Sequence, residues 1–66
     1  MVQSERMVFE KIRELGGKIE GGMAWTWASF PSDQAAEAFS QWLGGEWEQR
    51  GVYKSQGETP AGVRFR

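Results

Sequence analysis

The segment 23–30, Met-Ala-Trp-Thr-Trp-Ala-Ser-Phe, constrains the fold more than any other part of the chain. Side chains alternate between the two faces of a β-strand, and in this segment both faces are largely apolar. The faces differ in size, with Met23, Trp25, Trp27 and Ser29 on one and Ala24, Thr26, Ala28 and Phe30 on the other. This pattern is typical of a strand that is covered on both sides.

The chain is too short to cover such a strand easily. It has 66 residues, and a domain of that size buries only about 60% of the surface that its unfolded form exposes. It contains no Cys and no His, so neither a disulfide nor a zinc site is expected to stabilise it. We therefore expect one compact domain, residues 1–66, that has no cofactor and depends on an aromatic-rich core or on a second copy of the chain.

Two amphipathic helices flank the Trp-rich strand. Residues 5–15 follow Ser4, which suits an N-cap, and precede Gly16, which suits the left-handed conformation found after a helix. Residues 33–43 begin after Ser32, a second N-cap candidate, and also carry their apolar side chains at helical spacing.

The remaining strands are predicted from short alternating segments. Strands near 47–54 and 62–66 flank a polar turn and predict a C-terminal hairpin. Residues 18–20 are interpreted as a backward extension of the Trp-rich strand across a glycine bulge at Gly21 and Gly22.

The predicted element order is αβαββ, which is an α+β fold. A right-handed crossover makes the first two predicted strands parallel, and the last strand can then lie between them, antiparallel to both. The expected sheet therefore has three strands in the order 1-3-2, with both helices on one face. This topology resembles half of a ferredoxin-like fold.

Two placements of Trp25 and Trp27 are compatible with the pattern. Either the two rings pack under the helices, or the small face with Ala24 and Ala28 receives the helices and leaves the rings on the other side. In both cases an apolar sheet face stays uncovered, which is typical of a protein–protein contact. We therefore predict a small, non-catalytic protein-interaction module that forms a homodimer through its sheet or binds another protein.

Single-stranded nucleic-acid binding is the alternative function. Arginines beside aromatic rings on an open sheet stack bases and neutralise phosphates, although the net charge is −1 and no ribonucleoprotein-type consensus is present. The candidate interface residues for either function are Met23, Trp25, Trp27, Tyr53, Lys54, Arg64 and Arg66. A further alternative is a viral or mobile-element accessory protein that occludes a site on a larger host protein.

The sequence argues against catalysis and against a membrane partner. Without His or Cys, the chain lacks the usual general base near pH 7 and the usual thiol nucleophile, so we expect no enzyme activity. No apolar run approaches the roughly 18 residues of a membrane span, and we expect a cytoplasmic protein.

Charge is segregated along the chain, since residues 23–49 carry four carboxylates and no Lys or Arg, whereas residues 50–66 carry four basic residues and one glutamate.

Overall fold

The computed structural model describes residues 3–66 and contains two helices and one four-stranded antiparallel sheet. In chain order the elements are α1 (Glu5–Glu14), β1 (Lys18–Gly21), β2 (Thr26–Phe30), α2 (Asp33–Leu43), β3 (Gln49–Tyr53) and β4 (Ala61–Phe65). The α+β class is therefore confirmed. Met1 and Val2 of the predicted domain lie outside the described residues.

Both helices begin at the predicted serine caps. The Ser4 hydroxyl accepts a hydrogen bond from the Met7 N–H at 3.2 Å, and the Ser32 hydroxyl accepts one from the Ala35 N–H at 3.1 Å. Gly16 follows α1 with φ 78, the left-handed conformation expected of it. Neither of these two helices, the ones found in residues 3–66, is long and apolar enough to cross a membrane.

The strand order in the sheet is β1-β2-β4-β3. β4 lies between β2 and β3 and is antiparallel to both, which is the relative order predicted for these three strands. The predicted three-stranded sheet is wrong, because Lys18–Gly21 forms a separate fourth strand. β1 pairs antiparallel with β2, with Lys18 opposite Ser29 and Ile19 opposite Ala28. This additional edge strand also departs from the half-ferredoxin-like topology.

A glycine turn explains why β1 folds back instead of extending β2. Gly21 and Gly22 have φ 108 and φ 140, values that only glycine adopts readily. A side chain at Gly22 would also collide with the Trp25 carbonyl oxygen. The turn occupies residues up to Trp25, so β2 begins at Thr26 and is shorter than the predicted strand 23–30.

The hydrophobic core lies between the helices and one face of the sheet. It consists of Val8, Ile12, Ala28, Phe30, Ala36, Phe39, Leu43, Ala61, Val63 and Phe65. The Phe39 ring of α2 lies 5.2 Å from the Phe30 ring and 5.5 Å from the Phe65 ring, measured between centroids. Because Val8 and Ile12 of α1 belong to the same cluster, both helices cover the same sheet face, as predicted.

Two of the four tryptophans lie on the helix side and hold the N-terminal segment. Trp42 and Trp47 pack partly buried against the core. The Gln3 side-chain amide donates to the Trp42 carbonyl at 2.9 Å, and the Trp47 indole N–H donates to the Gln3 carbonyl at 3.3 Å. These contacts connect the segment before α1 to the end of α2 and to the loop between α2 and β3.

Asp33 connects the N-terminus of α2 to the loop after β3. Its Oδ1 accepts a hydrogen bond from the Ser55 backbone N–H at 2.8 Å. This bond, together with the nearby Ser55 hydroxyl and the charge of Lys54, lowers the pKa of Asp33 below its ordinary value, against an opposing effect of burial.

We expect this contact to make stability depend on pH in the acid range. The folded-state pKa of Asp33 is lowered, so its contribution is complete above the unfolded pKa of about 3.9 and is lost as pH falls through the lower folded value. Chemical denaturation of the wild type and of Asp33→Asn from pH 7 to pH 2 measures it. The difference between the two proteins should shrink as the pH falls.

Glu37→Gln provides the control, because it removes a carboxylate from the same helix without touching Ser55. A stability difference between wild type and Asp33→Asn that stayed constant across the acid range would contradict the role given to the Asp33 charge.

Candidate functional site

The sheet face that points away from the helices carries aromatic and cationic side chains side by side. Trp27 of β2 is the direct cross-strand partner of Arg64 of β4, and Tyr53 of β3 is the partner of Gly62. The second placement considered for the tryptophans is therefore the one found: Ala28 is buried in the core and Trp27 lies on the opposite face. We call this surface the aromatic–arginine face and define it by Trp25, Trp27, Tyr53, Arg50, Arg64 and Arg66.

Trp27 lies flat across the middle of this face because Gly62 has no side chain. A Cβ atom at Gly62 would lie 2.6 Å from Cη2 of Trp27 and 2.7 Å from the Ala28 carbonyl oxygen. The indole thus crosses β4 and reaches Tyr53, with ring centroids 5.3 Å apart and planes inclined by 77°. Gly62 therefore determines where the central ring of the face sits.

Guanidinium groups flank the rings. The Cζ atom of Arg66 lies 4.5 Å from the Trp25 ring centroid and that of Arg50 lies 4.9 Å from it. Arg64 lies 5.5 Å from the Trp27 centroid and 5.6 Å from the Tyr53 centroid. These distances are within the range of cation–π attraction. The three arginines are exposed, whereas both indole rings are half-buried.

Cations outnumber carboxylates on this side of the sheet. Glu48 pairs with Arg66, with its Oε2 2.9 Å from Nε, and Glu20 lies 3.7 Å from the Lys18 ammonium. Among the described ion pairs of residues 3–66, none engages Arg50 or Arg64. The acidic residues of α2 lie on the opposite side of the sheet, so the positive surplus of the face is larger than the net charge suggests.

The structure brings together five of the seven candidate residues: Trp25, Trp27, Tyr53, Arg64 and Arg66. The other two lie apart from them. Met23 is at the tip of the β1–β2 turn and fully exposed. Lys54 lies near Asp33, at the N-terminus of α2.

Arg50 belongs to the face and was missed by the sequence prediction. The pairing of β3 with β4 shifts between Gln49 and Val52, where Gly51 adopts φ 91. This extra residue places both Arg50 and Tyr53 on the open side, whereas simple alternation would separate them. A glycine inside a predicted strand is the signal that could have revealed the bulge.

Comparison with known proteins adds no assignment: no family model, no curated protein and no solved structure matches this chain. Within the described residues, no group of three or more His, Cys, Asp or Glu side chains is arranged to hold a metal ion. The function therefore has to be inferred from the chemistry of the aromatic–arginine face and the surface next to it.

We expect Gly62→Ala to disturb the face directly. The new methyl group would overlap the Trp27 ring and the Ala28 carbonyl, and such overpacking destabilises a fold by about 1–3 kcal/mol. Chemical denaturation measures the loss, and near-ultraviolet circular dichroism measures the displacement of the indole.

Gly45→Ala is the matched control. No atom lies within 4 Å of the position that its Cβ would take, so its stability should stay within about 0.5 kcal/mol of wild type. If Gly62→Ala kept both the wild-type stability and the wild-type aromatic spectrum, Trp27 would not lie over Gly62.

Proposed function

We propose that the protein is a non-catalytic module that binds single-stranded nucleic acid on its aromatic–arginine face. The observation that carries the proposal is the interleaving of three aromatic rings with three guanidinium groups on one open sheet face. Bases stack on aromatic rings and on guanidinium planes, and arginines neutralise the phosphates of the same strand.

The number of aromatic rings on the face supports a short binding site. Sheets that bind RNA stack about two or three bases on their aromatic residues, and Trp25, Trp27 and Tyr53 supply that number of rings. The arginines are exposed, and an exposed guanidinium can contact a phosphate while its neighbouring ring stacks on a base. Because rings of this kind accept any base, the face by itself predicts binding with little sequence preference.

Charge favours an anionic strand over a second copy of the chain on this face. Two copies that met face to face would bring Arg50, Arg64 and Arg66 of one close to the same residues of the other, and like charges repel. A polyanion would instead be attracted by all three. Self-association through the sheet therefore stays a prediction from the sequence, as does occlusion of a site on a host protein.

We expect binding to weaken steeply with salt. If about three phosphates are neutralised, the logarithm of the binding constant should fall with the logarithm of salt concentration with a slope of about −2, since each contact to a single strand contributes about −0.7. Quenching of tryptophan fluorescence by oligothymidylate measures the constant. Arg64→Ala combined with Arg66→Ala should weaken binding and reduce the slope to about −0.7.

Arg6→Ala combined with Arg13→Ala is the charge-matched control, because both of these residues lie on α1, away from the face. Equal weakening in the two double variants would indicate diffuse attraction to the whole molecule and would contradict the proposed site. Absence of quenching by oligothymidylate at low salt, where phosphate contacts are strongest, would contradict binding at this face. Sedimentation of the unbound protein over a dilution series then decides whether it self-associates.

Trp25→Ala should separate binding from folding. Trp25 lies outside the core cluster and is flanked by exposed arginines, so the variant should stay folded. Loss of one stacking ring should reduce affinity for oligothymidylate by about 1–3 kcal/mol. Phe39→Ala, in the core, should instead cost about 3–5 kcal/mol of stability. An unfolded Trp25→Ala variant would contradict the surface role of this ring.

A further inference from the structure

A cavity of about 470 Å³ opens beside the aromatic–arginine face, at the end of the sheet where β2 ends and β4 begins. Its wall includes Lys18, Glu20, Ser29, Pro31, Glu58 and Pro60. Ser29 is two residues beyond Trp27, about 7 Å along the strand, so the cavity adjoins the ring that lies across Gly62. Its volume is within the range of roughly 300–1,000 Å³ that is typical of ligand sites.

The polar groups of the cavity hold one carboxylate in place. Ser29 is only 4% exposed, and its hydroxyl donates to Oε2 of Glu20 at 2.8 Å. The Lys18 ammonium lies 3.7 Å from the same oxygen. Among the hydrogen bonds described for residues 3–66, none involves Oε1 of Glu20. The cavity therefore presents a fixed pair of carboxylate oxygens next to a cation that can still donate hydrogen bonds.

We infer that this cavity receives a guanine base of the bound strand, an inference that rests on the proposed function. The Watson–Crick edge of guanine carries two adjacent N–H donors, at N2 and N1, followed by the O6 acceptor next to N1. A carboxylate accepts two parallel N–H bonds and an ammonium donates to a carbonyl, so Glu20 and Lys18 match the three groups in order.

The other bases match less well. Adenine and cytosine each place a single amino donor beside a ring nitrogen acceptor, which would face the second carboxylate oxygen. Thymine has one N–H between two carbonyl groups, so its carbonyl would also face the carboxylate. The rings of Pro31 and Pro60 supply apolar surface for the face of a base, and this contact does not discriminate among the four. Selectivity therefore comes from the hydrogen-bonding edge.

The test compares single-stranded DNA oligomers of about ten nucleotides, a length within the usual range of site sizes. Oligothymidylate is the reference, and a single central position is replaced by guanine, adenine or hypoxanthine, which lacks the N2 amino group. We expect guanine to bind roughly tenfold or more tightly than adenine, as for a good bidentate base contact, and hypoxanthine to lose most of that gain.

Glu20→Gln should abolish the preference for guanine while binding to oligothymidylate persists, because the amide replaces one acceptor by a donor. Glu48→Gln removes the same charge from the same side of the sheet, away from the cavity, and should keep the preference. Lys18→Met is the second test variant, at an exposed position of β1, and should weaken the preference because its side chain has no N–H donor for O6.

The outcomes distinguish this inference from the proposed function. Equal affinities for the guanine and adenine oligomers, with oligothymidylate still bound, overturn the guanine site and leave the function intact. A preference for guanine that survives in Glu20→Gln overturns the guanine site as well, because the side chain that recognises guanine then lies elsewhere. Absence of binding to every oligomer overturns the proposed function, and the guanine site with it.

Discussion

The packing of Phe39 against the sheet determines the arrangement of the rest of the molecule. Its ring joins α2 to Phe30 of β2 and Phe65 of β4, with centroids 5.2 Å and 5.5 Å away. Because side chains alternate along a strand, this contact places Ala28 in the core and Trp27 on the other side of the sheet. Two short helices cover one face only, so the other face has to be covered by the side chains of the sheet itself. The aromatic–arginine face is thus a consequence of where α2 packs.

The helices could be predicted from the sequence because their ends are marked chemically. Ser4, Ser32 and Gly16 each take the cap conformation expected of them, and α2 has the predicted limits. β1 could not be recognised as a separate strand in the same way. All four of its residues are exposed, so no burial alternation distinguishes it, and Gly21 and Gly22 are compatible with a bulge as well as with a turn.

The face could be predicted in part. The alternation of Trp25 with Trp27 and of Arg64 with Arg66 places each pair on one side of its strand, but both sides of segment 23–30 are apolar. In the structure the small Ala28, opposite Val63, lies in the core under the helices, and the large indole ring of Trp27 lies on the open side. The membership of Arg50 depends on a backbone irregularity, which a count of alternate residues does not detect.

The two outer strands have a consequence for how the sheet can meet another protein chain. β1 has only four residues and carries the charged side chains Lys18 and Glu20, while β3 is interrupted at Gly51. Short, charged or bulged edge strands resist pairing with a further strand. Such edge-to-edge pairing is a common route by which open sheets aggregate. Both edges of the sheet are therefore poorly suited to pairing with a further strand.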